Sequence, residues 1–131
     1  MDSATTSLRF TRIWVVIGVG FVLLVAFLSL TPDPLDIGQP TGLKLDHMIA
    51  YAWLMLWFGQ IYRANGRRVL LAIAFCALGV VLEYCQGMTD YRHFAYADML
   101  FNATGVAFGL VLSYTPLQYC LRTFEKVTID Q

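Results

Sequence analysis

The chain has 131 residues, the size of one domain, and a formal net charge of zero. That balance excludes the concentrated basic surface that nucleic acid requires. With 58% apolar and only 14% charged residues, against about 25% charged in an ordinary soluble domain, it has too few polar side chains to cover a water-facing surface. Bilayer lipid is the solvent that fits this composition.

Met1 to Arg12 is a short polar lead carrying Arg9 and Arg12. Ile13 to Leu30 follows without a charge; as a helix it spans roughly 27 Å, close to the ~30 Å of bilayer hydrocarbon. No small-x-small site closes this run and more apolar runs follow, so it is expected to persist as a first span rather than be cleaved as a signal peptide. Thr31 to Gly42 contains Pro32, Pro34, Pro40, Gly38 and Gly42 and is expected to be a loop. Leu45 to Tyr62 is the second apolar run. Arg63 to Arg68 is a basic turn built around Asn65-Gly66.

Val69 to Cys85 gives a short third span, and Gly87 to Ala97 a polar, aromatic connection. Met99 to Tyr114 is the fourth run, with Pro116 placed to end or kink it, and the tail after Leu121 reads as short and polar. The expected fold is all-α: a single domain, residues 1–131, forming an antiparallel bundle of four transmembrane helices (13–30, 45–62, 69–85, 99–114). With the amino terminus inside, the cytoplasmic side holds Arg9, Arg12, Arg63, Arg67, Arg68, Arg122 and Lys126, and the outer side only Lys44 and Arg92. The positive-inside bias therefore predicts both termini in the cytoplasm, and Tyr62, Tyr84 and Tyr114 suit the interfacial aromatic belts. Cys76, Cys85 and Cys120 read as small apolar residues; the first two lie roughly 13 Å apart along one helix, too far for a disulfide.

This topology brings costly side chains together. Lys44, Asp46 and His47 open span two, Glu83 and Gln86 close span three, and Asp98 and Asn102 open span four, all at the outer face. On span four, Asp98, Asn102, Gly105 and Gly109 fall within roughly 60° of one another on a helical wheel. Gly105-x-x-x-Gly109 is a small-residue seam for close helix packing. Lys44, His47 and Tyr51 share a face of span two, with Asp46 about 100° away, and Arg92 lies in the connection before span four. Taken singly, each has a structural reading: the carboxylates and cations as interfacial ion pairs, His47 and Asn102 as hydrogen-bonded packing groups, His93 as a solvated loop residue. Taken together, Lys44, Asp46, His47, Tyr51, Glu83, Gln86, Arg92, Asp98 and Asn102 form a candidate ligand-binding mouth, because ionisable groups at membrane depth mark functional sites. No spacing among Asp46, His47, Glu83 and Asp98 demands a metal, and no cofactor is expected.

Lys44-x-x-His47-x-x-x-Tyr51, then Glu83-x-x-Gln86, Arg92, Asp98, Asn102, Gly105 and Gly109, resembles the pattern of the VanZ-like family of small bacterial membrane proteins. The resemblance covers residues 25 to 112 and includes Ser29-Leu-Thr-Pro32. The family commonly has an acid just before the lysine; Leu43 stands there, and Asp46 offers a carboxylate three residues later. The resemblance implies a multi-pass protein of the bacterial cytoplasmic (inner) membrane, of a kind associated with resistance to teicoplanin-type lipoglycopeptides.

Three functions compete at this stage. A non-catalytic protein would bind an envelope-lipid head group, a lipid-linked precursor or the lipoglycopeptide itself, with Arg92 and Lys44 holding an anionic group. An enzyme on a lipid-linked substrate would use the carboxylates and His47 in acid–base chemistry, although no nucleophile elbow is present. A small ion-coupled transporter would need more scaffold, supplied by a homo-oligomer joined through the glycine seam.

Overall fold

The structure, a computed structural model, describes residues 8–31, 45–88 and 96–131. Lys44, Arg92 and His93, the breaker-rich loop after Thr31 and most of the connection between 87 and 97 lie outside the described residues. The rest is helical: α1 (Thr11–Leu30), α2 (Leu45–Ile61), α3 (Asn65–Gly87), α4 (Tyr96–Leu112), a 3₁₀ turn (Pro116–Tyr119) and α5 (Cys120–Ile129). Helices α1 and α3 are each long and apolar enough to cross a membrane. A third span arises if α4 and the stretch Pro116–Ile129, turned 75° from it, are counted as one broken span. Helices α2 and α4 have 17 residues each, about 26 Å at 1.5 Å per residue.

Contacts fix the helix directions. Trp14 meets Trp57 and Phe21 meets Trp53, so α1 and α2 run antiparallel. Arg68 reaches Gly59 while Phe58 stacks near Phe75, so α2 and α3 are antiparallel too. Helix α4 runs parallel to α2: Gly105 lies against Met48, Gly109 against Ala52 and Met55, and Gly59 against Ser113. A methyl group at Gly109 would come within 2.5 Å of the Ala52 carbonyl oxygen, and one at Gly105 would overlap the Met48 backbone. Glycine is what lets the two backbones approach this closely. The seam is therefore occupied by α2 of the same chain. This corrects the expectation that it is an exposed surface for a second copy.

The distribution of side chains is inside-out relative to a water-soluble protein. Val16, Leu23, Phe27, Leu70, Ile73, Leu100 and Val111 are exposed, while Glu83, Gln86, Asp98, Asn102, Arg68, Gln60, Ser113 and Glu125 are buried. Gly18 is the one buried residue of α1; a Cβ there would sit 2.6 Å from the Phe58 ring, which is how this otherwise lipid-like helix docks. Leu54, Met55, Phe58, Phe75 and Val106 form the apolar middle layer that separates two polar ends, with Tyr51 where it meets the end that holds His47.

The tail is not the short polar extension expected from sequence. Thr115 Oγ1 accepts from the Leu117 N–H, Pro116 occupies the first position of the 3₁₀ turn, and α5 then folds back against the bundle. Its Leu121 and Glu125 are buried.

Candidate functional site

One polar end is built where α2 and α4 begin and where α1 and α3 finish. Helix α4 contributes the stripe read from the sequence: Asp98, Asn102, Gly105 and Gly109 are all buried on one side of it. The Nδ1–H of His47 donates to Oδ1 of Asn102 at 3.0 Å, joining α2 to α4. Nε2 of His47 is left facing Asp46 Oδ2 at 3.8 Å, beyond hydrogen-bond length. The Asp46 side chain is 38% exposed and lies at the rim; that of His47 is 12% exposed and lies within it. Asn102 fits because α3 offers Gly79 opposite: a Cβ there would lie 3.1 Å from the Asn102 amide nitrogen. Gly79 was invisible in the sequence as a site residue, since its role exists only once α3 and α4 are packed.

Helix α3 adds Glu83 and Gln86, both buried, three residues apart on the same side as Gly79. Gln86 Nε2 donates to the Ser29 carbonyl at 2.6 Å, tying the last turn of α3 to the last turn of α1, where α1 has lost its own donors. Tyr51 is 2% exposed, within electrostatic reach of Glu83. Its hydroxyl is the buried side-chain oxygen that meets no hydrogen-bond partner among the described residues. Burying a hydroxyl without a partner costs about 1–3 kcal/mol. Of the nine candidate binding residues, Asp46, His47, Tyr51, Glu83, Gln86, Asp98 and Asn102 lie at this end; Lys44 and Arg92 lie outside the described residues. No group of three or more His, Cys, Asp or Glu side chains capable of holding a metal occurs among the described residues.

The opposite end carries a second polar set that sequence reasoning missed. There, buried side chains satisfy helix ends belonging to other elements. Arg68 Nε and Nη2 both donate to the Gly59 carbonyl in the last turn of α2, at 3.2 and 3.0 Å, and Nη2 also reaches Gln118 Oε1 at 3.1 Å. The guanidinium lies 4.6 Å from the centre of the Tyr114 ring. Gln60 Oε1 accepts from the Leu121 N–H, an orphan donor of the first turn of α5, at 2.9 Å.

Glu125 accepts from the Arg9 and Phe10 N–H groups, each at 2.8 Å, and from the Trp14 indole at 2.6 Å. Its carboxylate thus caps the positive end of the α1 dipole. Burial pushes the Glu125 carboxyl up, but the Phe10, Arg9 and Trp14 donors and the Arg9 charge outweigh it and hold the group below its ordinary value. Two signals were present in the sequence: a glutamine inside the apolar run of α2, and a carboxylate one turn from Leu121 on an amphipathic decapeptide.

Comparison with family models, with curated proteins and with solved structures finds no match.

Proposed function

We propose that this chain is a four-span protein of the bacterial cytoplasmic membrane, VanZ-like in kind. Both termini are cytoplasmic, and the polar end formed by α2, α3 and α4 faces outwards to bind the head group of an envelope lipid or related amphiphile. The observation that carries this reading is the Tyr51 hydroxyl: buried, with no hydrogen-bond partner among the described residues, within electrostatic reach of Glu83 and one turn along α2 from the His47 that bonds Asn102. Native interiors leave few buried donors unmet, so each one calls for an explanation. A ligand hydroxyl, amide or phosphate oxygen meeting that donor removes the penalty.

Glu83 and Asp98, buried at this end, would orient the groups that meet the head group. Lys44, one residue before α2, and Arg92, in the segment joining α3 to α4, supply positive charge for its anionic part. The antiparallel order α1–α2–α3 and the cation count support four spans with inward termini. Resistance to a teicoplanin-type lipoglycopeptide would follow from sequestering the drug's lipid anchor or altering the lipid around its target.

The test is thermal unfolding of the purified protein in neutral detergent, with a lipid-linked envelope precursor or a teicoplanin-type lipoglycopeptide added. A ligand-dependent rise in Tm that is reduced in both Tyr51→Phe and Arg92→Ala supports the pocket. Rises equal to wild type in both variants overturn it.

A further inference from the structure

Helix α5 carries features that neither the polar mouth nor the capping contacts use. Tyr119, Arg122, Thr123 and Lys126 line a cleft of about 180 Å³. Their spacing, i, i+3, i+4 and i+7, puts two cations, a hydroxyl and a phenol on one face of the turn and helix. The face of α5 turned to the bundle is different: it is centred on Leu121 and Glu125, and Glu125 is fully engaged by the start of α1.

Arg122 and Lys126 therefore sit one turn apart with like charge, and no carboxylate pairs with either among the described residues. Arg63, in the turn before α3, brings a third guanidinium 5.2 Å from the Tyr119 ring centre. Around the helix from the cations, Leu117, Phe124 and Val127 are exposed, and Phe124 continues the aromatic contact with Trp14 of α1.

The geometry points to a binding site for the phosphate of an anionic membrane phospholipid, formed by Arg122 and Lys126 with Thr123 and Tyr119. A phosphate between the two cations relieves their repulsion and accepts hydrogen bonds from both, as well as from the hydroxyl. The lipid source is favoured over a soluble anion by the apolar flank. A helix turned 75° out of line with α4, with exposed Phe and Val on one flank and Arg and Lys on another, is the pattern of an interfacial helix. This inference rests on the reading of the chain as a membrane bundle. It concerns the end remote from the Tyr51 pocket, the leaflet beside the two termini, where juxtamembrane cations meet anionic head groups.

The experiment reconstitutes the full chain into nanodiscs of phosphatidylcholine, alone or with phosphatidylglycerol, and measures Tm and the number of retained phosphatidylglycerol molecules by native mass spectrometry. Wild type is expected to gain Tm and retain phosphatidylglycerol. The double variant Arg122→Gln/Lys126→Gln should keep the Tm of wild type in phosphatidylcholine and bind phosphatidylglycerol roughly thirtyfold more weakly. Tyr51→Phe should leave this effect intact, which separates it from the other pocket.

Equal phosphatidylglycerol binding by wild type and the double variant overturns the site. So does a Tm gain reproduced by inorganic phosphate alone in phosphatidylcholine discs, because the ligand would then be a soluble anion. Failure of any variant and of wild type to incorporate into discs defeats instead the membrane reading on which the site rests.

Discussion

Replacing Tyr51 by Phe removes one oxygen and leaves the ring among Leu54, Met55 and Val106, so it isolates the hydroxyl from the packing. That oxygen is buried without a partner among the described residues, a condition costing about 1–3 kcal/mol. The variant should therefore be more stable than wild type without ligand, by about 1–2 kcal/mol. For a chain of this size that is a rise in Tm of about 3–6 °C per kcal/mol. Ligand offsets this gain: the lost hydrogen bond lowers affinity about tenfold, equivalent to 1.4 kcal/mol, so the advantage of the variant shrinks to about zero at saturation.

A thiol-reactive dye reads both effects, since Cys76 and Cys85 are half-buried on α3 and react on unfolding. Cys120, which is exposed, is first changed to Ser to remove background. The reasoning is refuted if Tyr51→Phe unfolds at a lower temperature than wild type, because the hydroxyl must then hold a bond that stabilises the free protein. It is equally refuted if the variant is stabilised yet binds the proposed ligand with unchanged affinity.

Gly105→Val should destabilise by about 3 kcal/mol or more, read by thermal unfolding, because the new side chain meets Met48 backbone that cannot move aside. Gly20→Ala, where nothing lies within 4 Å, should be neutral or stabilising by up to about 1 kcal/mol. Glu125→Gln should cost about 2 kcal/mol at neutral pH by weakening charge-assisted bonds to the start of α1. Because the folded carboxyl is held below its ordinary value of 4.5, its contribution is complete above that pH and is lost as pH falls through the folded value. A Tm profile from pH 7 to pH 3 should therefore fall less steeply in the glutamine variant than in wild type. A double-mutant cycle of His47→Leu and Asn102→Leu should give a coupling of about 0.6–1.7 kcal/mol, the range for hydrogen bonds between membrane helices; a coupling of zero would remove the bond from the account.

Much of the candidate site was legible in the sequence because an apolar surround punishes polar groups and the helix has a fixed period. The stripe Asp98, Asn102, Gly105, Gly109 needed only 100° per residue to be assigned to one face, and that face is buried. The helix limits followed from runs of apolar residues broken by Pro, Gly and charge, and they differ from the observed ones by no more than four residues at any end. The direction of each helix, counted from the alternation of runs and turns, brings His47, Glu83 and Asn102 to the same end.

What tertiary structure alone decided is which group meets which. The glycine seam was recognisable as a contact surface, but whether α2 of the same chain or a second copy filled it depended on packing that has no local signature. Glu125 caps a helix more than a hundred residues away, and Gln60 caps one about sixty residues away; no periodicity encodes such a partner. The Tyr51 hydroxyl, unmet among the described residues, is likewise a property of the assembled core, since a tyrosine on a helix face is ordinary until its neighbours are placed. Local rules of period and solvation act on each helix separately and so are written along the chain, whereas hydrogen-bond satisfaction in the packed interior depends on all the helices at once.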